Sequence, residues 1–177
     1  MTVFSFIGWS NTGKTGFIEG CIRSCRQLGM KPGVIKFASH VDMLNIGKKD
    51  SNRFVKSGAE TAITAKGKLY KIASNKFQEE LCPPSWNLAA LESVFPGLDV
   101  VFVEGSPVSG TPIPGSIGVI FSGSAGTEAG LKSPMEAFDA LVSSAEKLVE
   151  EAKEAGLKAF YPGEADGLIR YYCRQKQ

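Results

Sequence analysis

Apolar residues along this chain fall into two rhythms: short unbroken runs, and longer stretches with apolar positions three and four apart. Val3-Phe4-Ser5-Phe6-Ile7 is a strand-sized run, and Phe17, Ile18, Cys21, Ile22, Cys25 and Leu28 follow at helical spacing. Gly29 and Pro32-Gly33 mark a stop and a turn, after which residues 34–37 predict a second strand. Residues 38–47 read as a loop. Asp50 stands where it can cap a helix over about 51–57, closed by Gly58. Residues 59–65 and 69–73 predict two strands joined at Gly67. Residues 79–86, broken by Pro83-Pro84, give no clear element, and 87–95 predict a helix ended by Pro96-Gly97. Val100-Val101-Phe102-Val103 is apolar without alternation, as expected of a strand covered on both faces, and 117–121 repeats the pattern. Residues 107–114 and 122–130 are rich in Gly, Pro and Ser and predict loops, the second one a mobile surface loop. From Ser133 the apolar positions Phe138, Leu141, Val142, Ala145, Leu148, Val149 and Ala152 predict one long amphipathic helix ending at Gly156. Residues 157–161 predict a last short strand, and 165–172 a last helix.

Strands and helices alternate with no internal repeat and no linker. The expectation is therefore one three-layer α/β domain over residues 1–177 around a mostly parallel central sheet, and the glycine-bounded G-x-x-x-x-G-K-T loop at 8–15, between its first strand and first helix, makes the expected fold phosphate-loop NTPase-like. A length of 177 residues suits one such core, and 43% hydrophobic with 21% charged residues is ordinary for a globular chain. The net charge of +2 and the lack of a long basic run give no sign of a nucleic-acid partner. No apolar run is long enough for a transmembrane helix, and the N-terminus reads as a strand rather than a leader, so a cytoplasmic protein without a membrane partner is expected. Of the four cysteines, Cys21 and Cys25 share the buried stripe of the first helix. A metal site would need two further well-spaced ligands, and His40 is the lone histidine, so core packing accounts for them better.

The strongest chemical signal is Gly8-Trp9-Ser10-Asn11-Thr12-Gly13-Lys14-Thr15, a G-x-x-x-x-G-K-T stretch between a predicted strand and a predicted helix. That context lets backbone N–H groups turn inward around a phosphate at a helix N-terminus. Gly8, Ser10, Asn11, Thr12, Gly13, Lys14 and Thr15 are the candidate phosphate contacts. Lys14 is expected to reach the β- and γ-oxygens and Thr15 to give its hydroxyl to Mg²⁺; a glycine-rich turn before an ordinary helix is the plain alternative. Glu104 ends the apolar run 100–103, where phosphate-loop proteins carry a carboxylate for Mg²⁺, although a carboxylate at a strand end also serves solubility. Asp42, after the second strand, is a second candidate metal carboxylate. Lys48, Lys49 and Arg53 set three cations beside the helix start at Asp50-Ser51, which suits either an anion site or a solvated turn. His40 fits a surface position or a ligand contact.

Taken together these motifs resemble the MobB family, the molybdopterin-guanine dinucleotide biosynthesis adaptor proteins. The resemblance lies in G-W-S-x-x-G-K-T at 8–15, in Val34-Ile35-Lys36 with its His40 and Asp42 loop, and in Lys49-Asp50-Ser51-Asn52-Arg53 with Gly58-Ala59. Val103-Glu104-Gly105 and Pro112-Ile113-Pro114 continue it, in the family's order, to about residue 121. The resemblance implies a homodimeric GTP-binding protein with weak GTPase activity that uses Mg²⁺. It also implies as partners the molybdenum cofactor guanylyltransferase and molybdoenzyme-maturation proteins, with molybdopterin or its guanine dinucleotide form as cargo. By the same likeness Lys49, Asp50, Ser51 and Arg53 form a family-specific site, and Thr15, Glu104 and Asp42 the metal side. No N-K-x-D motif reads guanine, so guanine preference rests on the likeness. Lys48, Phe37 and Ser106-Pro107 differ from the family's usual residues, which leaves open a paralogue with another cargo. The competing reading is a small-molecule or nucleotide kinase. Such kinases carry an arginine-rich lid, and arginines here are few and unclustered in mid-chain.

Overall fold

The structure is a computed structural model that describes residues 1–38, 50–73, 76–122 and 131–173. Its elements, in chain order, are β1 (Thr2–Ile7), α1 (Lys14–Gln27), β2 (Pro32–Phe37), α2 (Asp50–Lys56), β3 (Glu60–Ala65), β4 (Lys68–Ala73) and β5 (Lys76–Leu81). There follow α3 (Leu88–Val94), β6 (Val100–Glu104), β7 (Ile117–Phe121), a 3₁₀ turn (Met135–Ala137), β8 (Ala140–Val142), α4 (Glu146–Glu154), β9 (Lys158–Phe160) and α5 (Ala165–Cys173). The strands make one nine-stranded sheet in the order β5-β4-β3-β2-β6-β1-β7-β8-β9. Every pairing from β3 through β9 is parallel, and β3-β4-β5 is an antiparallel extension at one edge. This is the expected α/β architecture with a mostly parallel sheet.

Period-two alternation sorts the buried side chains of the strands into two layers. Phe4 and Phe6 of β1, with Val100 and Phe102 of β6, pack with Ile18, Cys21 and Ile22 of α1, Phe54 of α2 and Leu168 and Ile169 of α5. Val3, Val101 and Val103 face the other way, against Leu91, Val94 and Phe95 at α3. Ile7, Ile120 and Leu141 share that second face with Leu148 and Ala152 of α4. A parallel sheet covered on both faces needs unbroken apolar strands, which is why β1, β6 and β7 were visible as runs. Cys21 and Cys25 are fully buried in the first layer as expected, and burial pushes both thiols up, Cys25 to about 12. Among the described residues no group of three metal-ligating side chains forms, and no helix is long and apolar enough to cross a membrane.

Two expectations need correction. The stretch from Ser133 is not one helix but a 3₁₀ turn, the strand β8 and then α4. Its apolar positions satisfy helical spacing, but Ala140-Leu141-Val142 is also an unbroken run, and pairing with β7 wins. Asp139 fixes that pairing: its backbone N–H donates to the Gly118 carbonyl at 2.9 Å, and its carboxylate accepts from the Gly118 N–H at 2.7 Å. After the strand, the Ser143 hydroxyl accepts from the Ala145 N–H at 3.0 Å and leads the chain into α4. The second correction is β5, which had no clear signal. Its Glu79 and Glu80 pair with Lys68 and Lys71 of β4, and such charges protect a sheet edge while hiding its strand pattern. The β3–β4 turn falls at Lys66-Gly67, both with positive φ (52° and 76°), the two-residue hairpin geometry that follows strand twist. The predicted loop 122–130 lies outside the described residues apart from Ser122.

Candidate functional site

The C-terminal ends of β1, β2, β3 and β6 point to one side of the sheet, where open parallel sheets bind ligands. A cleft of about 1070 Å³ opens there. Its floor is the loop between β1 and α1. Gly8 lies against β7 so closely that a Cβ there would stand 2.8 Å from the Cβ of Phe121, and Gly13 caps α1 at φ 87°, in the left-handed region. The hydroxyl of Thr12 donates to the carbonyl of Trp9 at 2.9 Å and tightens the loop.

Lys14 exposes 9% of its surface and folds its ammonium back into this loop. It donates to the carbonyls of Gly8 (3.1 Å) and Trp9 (2.5 Å) and to the hydroxyl of Thr12 (3.2 Å). Burial holds its pKa below the ordinary lysine value, an effect that the nearby Glu104 carboxylate partly offsets and Lys36 and Lys132 reinforce. The Thr15 hydroxyl donates to Glu104 Oε1 at 3.0 Å. Glu104, itself buried, has Lys36 Nζ at 3.2 Å from Oε2, yet that oxygen has no hydrogen-bond partner of good geometry among the described residues. The ion pair is therefore close in distance and poorly aligned, and Oε2 is a buried acceptor with unused capacity. Two hard oxygen donors 3.0 Å apart, one with a spare lone pair, fit Mg²⁺.

The predicted site residues are thus partly brought together. Gly8, Ser10, Asn11, Gly13, Lys14, Thr15, Arg53 and Glu104 all line the cleft, and Thr12 lies at its base through its bond to Lys14. Arg53 does not present an uncommitted fork: its Nε and Nη2 donate to the two carboxylate oxygens of Glu19 on α1 at 2.7 and 2.8 Å. Asp50 and Ser51 open α2, and their side chains lie outside the described residues. Asp42, His40, Lys48 and Lys49 lie outside the described residues altogether.

Sequence reasoning did not assign roles to Lys36, Lys132, Phe37 or Trp86, which also line the cleft. Lys132 stands 5.9 Å over the Trp9 ring. Lys36 was findable in principle: it lies one residue before the end of β2 while Glu104 ends β6, and the register pairs the two residues. Lys132 and Trp86 arrive from distant segments and carry no local signal.

A family model described as molybdopterin guanine dinucleotide synthesis protein B matches residues 3–112. The chain is 28% identical over 103 residues to the molybdopterin-guanine dinucleotide biosynthesis adapter protein of Escherichia coli (strain K12), a match spanning 58% of each protein. Among solved structures, that of Bacillus subtilis MobB is similar with a TM-score of 0.54 and 20% identity, covering 96% of this chain and 95% of that one. HypB from Helicobacter pylori, solved in complex with nickel, gives a TM-score of 0.63 at 12% identity, covering 99% and 86%. At these identities the structural likenesses establish the fold.

Proposed function

The chain belongs to the molybdopterin guanine dinucleotide synthesis protein B family, and on that premise we propose that it is a GTP-binding accessory protein with weak GTPase activity, serving formation or delivery of molybdopterin guanine dinucleotide. The observation that carries the reading is the convergence of Lys14, Thr15 and Glu104 in one cleft, with Glu104 Oε2 buried, ion-paired to Lys36 and without a hydrogen-bond partner among the described residues. In this reading residues 1–177 act as one nucleotide-binding domain, a homodimer in the cytoplasm. Its partners are the guanylyltransferase and the proteins that mature molybdoenzymes.

Lys14 moves from the Gly8 and Trp9 carbonyls to the β- and γ-phosphate oxygens, exchanging two neutral acceptors for charged ones. The backbone N–H groups at the start of α1 face the same phosphates. Thr15 and Glu104 hold Mg²⁺, which when bound neutralises charge on the phosphate oxygens. Arg53, tied to Glu19, supplies no unencumbered charge to a leaving phosphate.

Titration calorimetry of GTP and ATP, with and without Mg²⁺, followed by turnover measurements, tests the proposal. GTP should bind more tightly with Mg²⁺ and be hydrolysed slowly. Failure to bind any triphosphate sinks it, and rapid phosphoryl transfer to a small acceptor would show a kinase instead.

A further inference from the structure

Lys132 is held over the start of the phosphate loop by both of its neighbours. Leu131 is buried in the apolar layer that contains Ile7, the last residue of β1. On the other side the Ser133 hydroxyl donates to the Gly110 carbonyl at 2.7 Å. Gly110 has φ 82°, and a Cβ there would stand 2.7 Å from Ser133 Oγ, so this clip favours glycine on both counts. Between these two anchors the exposed Lys132 side chain lines the cleft, its ammonium 5.9 Å from the centre of the Trp9 ring.

Its charge is not spent on the fold. Lys36 and Arg53, also in the lining, each face a carboxylate, Glu104 and Glu19 respectively. No carboxylate lies within ion-pair distance of Lys132 among the described residues. Its contact with Trp9 is exposed, the indole being 52% accessible. Exposed cation–π contacts are weak, and a phosphate oxygen would give the ammonium a stronger, charge-assisted bond.

The position of Lys132 selects which phosphate. Lys14 donates to the carbonyls of Gly8 and Trp9, so the two ammoniums flank one residue, Lys14 at its backbone and Lys132 at its ring. The Lys132 charge is felt at Lys14, where it helps to hold that pKa down. A β-phosphate seats on the backbone N–H groups at the start of α1, which leaves the terminal phosphate for the Trp9 limb of the loop.

We propose that Lys132 reads the terminal phosphate: it moves from the Trp9 ring to the γ-phosphate oxygens of a bound nucleoside triphosphate, and so makes the site prefer triphosphate to diphosphate. A diphosphate ends at the start of α1 and leaves Lys132 on Trp9. The inference rests on the nucleotide reading given above.

Calorimetry with the β,γ-imido analogue of GTP and with GDP, both with Mg²⁺, tests it on wild type, Lys132→Ala and Lys132→Arg. Wild type should bind the analogue more tightly than GDP. Lys132→Ala should weaken the analogue about 10–100-fold, the scale of one charge-assisted bond, and change GDP by no more than about threefold. Lys132→Arg should recover most of the loss. Melting temperatures without ligand should stay the same, because the replaced side chain is exposed. A second measurement leaves Lys132 in place. In Trp86→Phe, Trp9 is the one tryptophan left, and departure of the ammonium from its ring should shift its emission with the analogue but not with GDP. Equal loss of both nucleotides in Lys132→Ala, no loss of either, or the same emission with both overturns the proposal and leaves the nucleotide reading standing. Binding of neither nucleotide to the wild type sinks that reading, and this inference with it.

Discussion

Thr15 and Glu104 stand 89 residues apart in sequence and meet in a hydrogen bond of 3.0 Å, hydroxyl to carboxylate. Parallel pairing of β1 with β6 brings them together, since Phe6 and Glu104 share a register position and Thr15 enters on the helix that follows β1. If the pair holds Mg²⁺, Glu104→Gln keeps the shape and removes the charge. Mg²⁺-dependent hydrolysis should fall about 10–100-fold, the usual scale for disturbing a metal's supporting ligands, while nucleotide affinity measured in a chelator changes little. Equal loss in both measurements would mean that the variant has damaged the fold rather than the metal position.

Lys14→Ala tests the loop itself. The ammonium makes three contacts within the loop, and a triphosphate would exchange the two neutral carbonyl acceptors among them for charged oxygens. Its removal should weaken triphosphate affinity by about 1.5–3 kcal/mol, read by calorimetry against GTP. An unchanged affinity would remove the loop from the binding site.

The loop, its helix and the strand ending in Glu104 were legible because each is a local pattern: a glycine spacing, a helical stripe, an unbroken apolar run. The fold class followed from their alternation. What stayed hidden depends on partners distant in sequence. Ala140-Leu141-Val142 joins the sheet because Asp139 clips it to Gly118, and nothing within residues 133–154 announces Gly118. The ion pair of Lys36 with Glu104 needs the β2–β6 register, and the contact of Phe37 with Trp86 needs the chain to return over β2 after three further strands. Arg53 was legible as a cation beside a helix start, but its commitment to Glu19 was not, because α1 and α2 are packed together only in the fold.

The lowered pKa of Lys14 gives the site a pH signature with a definite sign. Burial disfavours the ammonium in the free protein, holding its pKa below the ordinary lysine value. A bound triphosphate adds negative charge beside it and must raise that pKa. Between the free and the bound values, binding therefore takes up a proton, and affinity should fall as pH rises through that alkaline window. Calorimetry at alkaline pH in buffers of different ionisation enthalpy reads the uptake directly. Proton release, or none at all, would show that Lys14 does not meet the phosphates.

Arg53 carries the most family-specific motif, and its geometry decides what its loss should do. Its guanidinium grips Glu19 with two near-parallel bonds, joining the seven-residue α2 to α1, while Phe54 beside it is fully buried. Arg53 is half exposed, so the pair belongs with those worth roughly 0.2–1 kcal/mol once solvent screening is counted. As a strut, Arg53→Ala should lower thermal stability by no more than about that amount and leave GTP affinity within about twofold. Glu19→Gln should do the same, and the double variant should cost no more than the larger single one, because both act through one contact. Melting curves, GTP titration and hydrolysis rates on the three variants and the wild type measure this. A different pattern would return Arg53 to the ligand: hydrolysis or pterin-phosphate binding falling in Arg53→Ala while Glu19→Gln shows no such fall. The fork would then have to leave Glu19 on binding, and freeing it by Glu19→Gln should raise affinity rather than lower it.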